Sequence, residues 1–145
     1  MRTALLMLAL LLGARHGVGA SNPLVGREVS DFAMLDLRGR HYQLSRTDAK
    51  AVVLFFVSNG CPIARQSIRP LNRLRSQFVE QNIQFWLVNS SSADDRASIE
   101  KEARDFRYDW LPALIDDSQG IAAMLGVRRT ATAVLIHVAS RKILY

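Results

Sequence analysis

The chain is poor in thiols: its 145 residues include a single cysteine, Cys61. One cysteine excludes an internal disulfide, a structural zinc site built on paired thiolates, and an intrachain C-x-x-C redox couple. Cys61 therefore acts alone or with a thiol from another molecule. Histidine is scarce too, with three in the chain. His41 and His137 show no metal-ligand spacing, and Cys61 with one distant histidine is too few ligands for copper or zinc. Neither a metal nor a cofactor is expected. No run of about 18 or more apolar residues exists to form an ordinary membrane span. The formal charge is +6, but the lysines and arginines are dispersed and form no basic run, so nucleic acid is not an expected partner. Internal repeats, low-complexity segments and Pro/Gly/Ser-rich linkers are absent, and the length suits one domain.

What is present is an apolar fraction of 49% against 22% charged residues, too apolar for a disordered chain. The first twenty residues read as a secretory signal peptide. Arg2 supplies a positive n-region, Ala4 to Gly13 an apolar core, and Val18 and Ala20 the small residues of a cleavage site. Cleavage after Ala20 leaves 145 − 20 = 125 residues, and loss of Arg2 and Arg15 leaves a charge of 17 − 13 = +4. The domain is thus expected over residues 21–145, exported to a periplasm or secreted, and at a membrane only if the signal stays uncleaved. In an oxidising compartment an idle free thiol is a liability.

Residues 32–44 read as a small hairpin turning through Asp36 to Arg40, with Gly39 as the positive-φ residue. Ala51 to Val57 is a continuous apolar run, rich in β-branched and aromatic residues, which indicates a strand buried on both faces. Cys61 to about Gln81 reads as a helix, with Ile68, Leu71, Leu74 and Phe78 on one face and Arg65, Arg69 and Arg73 on the other, a solvated face. Pro62 is harmless in the first turn, whereas Pro70 should kink the axis. Ile83 to Val88 is a second buried strand. Ser91 or Ser92 is expected to cap a helix whose apolar face is Ile99, Ala103 and Phe106. Asp116 or Asp117 is expected to cap a short helix ending at Gly126. Thr132 to Val138 and Lys142 to Tyr145 form a last hairpin. Trp86 and Trp110 are expected in the core. Strands alternating with helices imply an α/β fold with parallel neighbours at its centre.

Cys61 falls where the first central strand gives way to a helix, in Ser58-Asn59-Gly60-Cys61-Pro62-Ile63-Ala64-Arg65. Strand carboxyl ends are where open α/β sheets gather their chemistry. A helix N-terminus favours thiolate over thiol, as does a nearby cation, for which Arg65 is the candidate. The alternative is an inert buried cysteine, against which the flanking Gly60 and Pro62 argue by marking a loop tip.

The segment VVLFFVSNGCPIARQSIRPLNRL resembles the redoxin branch of the thioredoxin-like superfamily, the alkyl hydroperoxide reductase/thiol-specific antioxidant proteins. DFAMLDLRGRHYQLS is similar to the family's lead-in hairpin, Pro70 stands nine residues after Cys61 as in many relatives, and ALIDDSQGIAAMLGV resembles the segment before the last hairpin. The resemblance spans about residues 24–145. It implies a thioredoxin-like fold, a central mixed sheet with flanking helices. Relatives continue with a closing helix, so that helix is expected to be missing beyond Tyr145, with one sheet face underpacked. It also implies a redox role for Cys61, with Ser58, Arg65, Arg128 and Arg129 as further catalytic candidates and Gly60, Pro62 and Thr130 beside the substrate. Arg128 and Arg129 read equally well as a pair of solvated loop arginines. Departures are clear. Ala64 occupies the second position of a C-x-x-C pair. Leu54 and Ser58 replace the proline and threonine of P-x-x-x-T-x-x-C. Ala131 replaces the proline that follows a threonine, so a trans bond is expected there.

The leading expectation is an exported antioxidant or redox-homeostasis enzyme whose Cys61 thiolate attacks a small peroxide or disulfide and is resolved by an external thiol reductant or a partner protein's thiol. The alternatives are a non-catalytic thioredoxin-like binding module and a dimer disulfide-linked through Cys61.

Overall fold

A computed structural model describes residues 24–145; the leader expected over residues 1–20 lies outside the described residues. The strands are β1 (Ala33–Asp36), β2 (His41–Gln43), β3 (Ala51–Val57), β4 (Ile83–Asn89), β5 (Ala113–Ile115), β6 (Thr132–His137) and β7 (Lys142–Ile143). The helices are α1 (Pro62–Phe78), α2 (Arg96–Asp105) and α3 (Gly120–Met124). The seven strands form one mixed sheet in the order β2-β1-β5-β4-β3-β6-β7. β3 runs parallel to β4, and β4 to β5, while the remaining pairs are antiparallel.

β3 sits near the centre, hydrogen-bonded on both edges. Its alternate side chains enter two different cores, which is why it is apolar throughout rather than alternating. Val52, Leu54 and Phe56 join Trp86, Val88, Val134 and Ile136 on one face, together with Ala122 of α3. Phe55 and Val57 join Phe85 and Leu87 on the other face, under Ala64, Ile68 and Leu71 of α1 and Ala103 of α2. Both faces are therefore covered, although Val53 and Ala133 on the α1 side remain half-buried.

Several expectations need correction. β5 was not anticipated: three residues carry too little periodicity to register, yet Leu114 is fully buried there. α2 begins later than Ser91 or Ser92, because Ser91 and Asp94 are held in a turn by Asn89 Oδ1 and Ser91 O. Asp95 is its N-cap, accepting from the Ser98 N–H at 2.7 Å. Leu74 is exposed, so the buried stripe of α1 narrows beyond Leu71. Phe106 and Trp110 lie at the surface rather than in the core. Each is stacked by an arginine: Arg65 lies 3.7 Å from the Phe106 ring centroid and Arg75 5.2 Å from that of Trp110. Buried Asp116 does serve α3, accepting from the N–H groups of Ile121 and Ala122, although the residue just before the helix is Gln119.

Candidate functional site

β3 ends at Val57, a three-residue loop follows, and α1 opens on Pro62 with Cys61 as its N-cap. Pro62 suits that place because a first-turn N–H has no intrahelical partner. The Cys61 Sγ takes the capping role a serine oxygen would fill elsewhere, accepting from the Ala64 N–H at 3.5 Å. A second contact comes from far along the chain: Thr130 Oγ1 stands 3.1 Å from Sγ. Donors aimed at sulfur stabilise its negative form. The Thr130 hydroxyl, first, and the Ala64 N–H hold the thiol below its ordinary value of 9.0, against a smaller opposing effect of burial. Sγ is partly accessible.

Arg65, the expected cation, is the last of the groups that favour the thiolate. Its guanidinium is committed elsewhere, in a two-pronged pair with Glu102 whose N···O distances are both 2.7 Å. Glu102 Oε1 also accepts from the Gly60 N–H at 3.1 Å. Its carboxyl is held below the usual range, chiefly by Arg65. The loop has two further ties to α2 and the turn before it: the Asn59 N–H donates to Asp94 Oδ2 at 2.8 Å, and Asn59 Nδ2 to Ser98 Oγ at 2.9 Å. The loop that presents Cys61 is thus clasped from below. Sequence reasoning missed Glu102. Its signal was a carboxylate beside Ala103 on the apolar face of α2, a costly placement unless a partner waits there.

The other candidates divide into groups. Gly60 adopts φ +75°, a left-handed conformation that glycine takes without Cβ strain, with open space around it. Pro62 is exposed in the first turn of α1. Ser58 does not touch the sulfur through its side chain; its carbonyl accepts from the Cys61 N–H at 3.4 Å. Ser58, Thr130, Arg128 and Arg129 line one cavity of about 390 Å³ beside the loop, with Ser90 and Ser91 at the end of β4. Neither arginine is among the groups that shift the Cys61 thiol. Ala131 is trans, with φ +58°, and donates its N–H to Phe56 O at 2.7 Å. Arg69 lines a separate groove with Phe106 and Trp110. Among the described residues, no cluster of three or more His, Cys, Asp or Glu side chains is placed to hold a metal ion.

Known proteins resemble this chain in sequence and in fold. The chain is 28% identical over 141 residues to the thiol-disulfide oxidoreductase ResA of Geobacillus thermodenitrificans, covering 94% of this chain and 79% of that protein. It is 22% identical over 112 residues to ResA of Halalkalibacterium halodurans, covering 77% of this chain and 62% of that protein. The chain thus spans less than two thirds of the length of the latter relative. Among solved structures, a putative thiol:disulfide interchange protein DsbE from Chlorobium tepidum superposes with a TM-score of 0.72 at 22% identity, over 83% of this chain and 82% of that one. The fold is thioredoxin-like. The profile of the AhpC/TSA family matches residues 25–143, from the residue after the first described one to the end of β7, and the chain belongs to that family.

Proposed function

We propose that the chain is a single-cysteine thiol oxidoreductase that exchanges disulfides through Cys61. The observation that carries this reading is the accessible Sγ at the N-cap of α1, with the Ala64 N–H and the Thr130 hydroxyl as donors. The Cys61 thiolate attacks one sulfur of a disulfide, a mixed disulfide forms, and the other sulfur leaves as thiolate with the bonding pair. Ala64 offers no second thiol, so an external thiol must attack the mixed disulfide, releasing the Cys61 thiolate and a new disulfide. The reductant is thus a small thiol or a partner protein's thiol. Disulfide exchange is favoured over peroxide reduction because Arg65, the cation that acts on the Cys61 thiol among the described residues, is already held by Glu102 and is not free to polarise an O–O bond. The leader pattern in residues 1–20 supports export, and an exported protein purified from its host should begin at Ser21.

The test is intact-mass analysis of the protein under limiting disulfide, with Cys61→Ser as control. A single adduct on Cys61, reversed by added thiol, is the expected result. No adduct, together with alkylation at pH 7 no faster than that of an unperturbed thiol, overturns the reading. A partner captured equally well by the Cys61→Ser protein would instead favour the non-catalytic binding module.

A further inference from the structure

The cavity of about 390 Å³ beside the Cys61 loop is a ligand-sized recess with a consistent chemical character. Its buried lining is apolar, formed by Phe56, Val57 and Ala122, and the exposed Arg128, Arg129 and Thr130 form its rim. No acidic side chain among the described residues lines it. Among the described residues, neither Arg128 nor Arg129 makes an ion pair. The carboxylate bonded to the lining residue Ser90, that of Asp116, is occupied by the Ser90 hydroxyl and two N–H groups of α3. Two uncompensated cations and a hydroxyl on its rim form a recess for a carboxylate-bearing molecule.

The recess is also connected to the chemistry. Thr130 is at once part of its wall and the residue whose hydroxyl stands 3.1 Å from Sγ. Thr130 thus joins the recess that holds Arg128 and Arg129 to the sulfur of Cys61.

We propose that this recess selects the second substrate of the exchange reaction, a low-molecular-weight thiol or disulfide bearing carboxylates, which Arg128 and Arg129 hold by its negative end. The assignment rests on the disulfide-exchange reading of Cys61 and adds to it the class of co-substrate. In the oxidising direction the Cys61 thiolate attacks the small disulfide, forming a Cys61–S–S–R bond and releasing one small thiolate with the bonding pair. In the reducing direction a second molecule of the same thiol, as thiolate, attacks the mixed disulfide and returns the Cys61 thiolate and the small disulfide. In each direction one sulfur–sulfur bond forms as another breaks, and the bonding pair leaves with the displaced thiolate.

Three symmetrical disulfides test this: dianionic 3,3′-dithiodipropionate, neutral bis(2-hydroxyethyl) disulfide and dicationic cystamine. Formation of the Cys61 adduct on the full chain is followed by intact mass at low ionic strength. Each rate is normalised to that of the same disulfide with an uncharged small thiol, which removes differences in leaving group. The expected order is dianion, neutral, dication, with the dianion about tenfold ahead of the neutral compound, the scale of two partly exposed charge pairs. The advantage should collapse toward unity in the Arg128→Gln/Arg129→Gln protein and persist in Arg46→Gln/Arg73→Gln, which loses the same charge elsewhere on the surface. Should the first double variant fail to fold, added salt makes the same reading on the native chain, where the advantage should decline. Normalised rates equal within about twofold on the native chain overturn the proposal, as does an advantage that survives loss of both arginines or is insensitive to salt. No adduct from any of the three would overturn the exchange reading itself, a separate outcome.

Discussion

Thr130 governs the state of Cys61 more than any charged neighbour does. Its hydroxyl is the first of the groups that lower the thiol, ahead of the Ala64 N–H, and Arg65 is the last of them. Thr130→Val removes that donor at nearly constant shape. The midpoint of the rate-against-pH curve for iodoacetamide should then move up toward the ordinary thiol value, and alkylation at pH 7 should slow by about three- to tenfold. A midpoint unchanged from the native protein would refute this assignment. The next residue, Ala131, stands at φ +58°, where an alanine Cβ is strained. Its N–H is fixed to Phe56 O, which holds the strained turn against the end of β3. Ala131→Gly relieves the Cβ clash but adds freedom to the unfolded chain, so a net stabilisation of about 0.5–1 kcal/mol is expected in urea melts.

At the level of elements, the site is a junction of β3, α1 and α2 rather than a property of one loop. Glu102 joins them by taking both the Arg65 guanidinium and the Gly60 N–H. Glu102→Gln leaves the shape of the side chain but removes its charge, so one two-pronged ion pair becomes a weaker neutral contact. Tm should fall by about 3–8 °C. Amide exchange at Gly60 should accelerate by about tenfold, since that N–H loses its charged acceptor. Exchange at Gly60 indistinguishable from that of the native protein would show that Glu102 does not hold the loop. This junction also explains why Glu102 escaped sequence reasoning. Arg65 and Glu102 are 37 residues apart, and no local pattern pairs them. The helix that carries Glu102 was legible from Ile99 and Ala103, but its start was not, because the Asn89 side chain and Asp94 hold the preceding residues in a turn.

For the whole molecule, the acidic groups with resolved shifts share one direction. Asp31, Asp36, Asp95 and Glu102 are all held below their ordinary values of 3.8 and 4.5. For Asp36 and Asp95 the stabilising agents are backbone N–H groups together with a neighbouring side chain; for Asp31 they are led by the Gln43 and Ser45 side chains, and for Glu102 by Arg65. A carboxyl whose pKa is depressed in the folded state contributes stability that is present above its unfolded value and is lost as pH falls through the folded one. Thermal stability should therefore be level with respect to these groups above about pH 5 and decline steadily below about pH 4.5. A Tm series over that range checks the sign, and a rise on acidification would contradict it. The lone cysteine has its own consequence at this scale: no internal crosslink restrains the unfolded chain, so Tm should be the same with and without reductant.

The parts of the fold readable from sequence are those whose physics is local. β3 was recognisable from end to end because burial on both faces leaves no polar position in it, and Cys61 could be placed at a helix start because Gly60 and Pro62 punctuate the chain there. β5 was not readable, since three residues gain their strand character only from β4 and β1 on either side. Trp110 was misplaced because hydrophobicity predicts burial only on average, and here an arginine covers the ring instead of the core. Sequence alone determined the position of the single thiol, the absence of a second one, and the alternation of strands and helices, all consequences of composition and short-range pattern. Tertiary structure alone decided the sulfur's environment. It brought Thr130 to Cys61 across 69 residues, turned Arg65 toward Glu102, and set Arg128 and Arg129 on the rim of a neighbouring recess. Contacts between residues so far apart are set by how the sheet stacks its strands, which no short stretch of chain encodes.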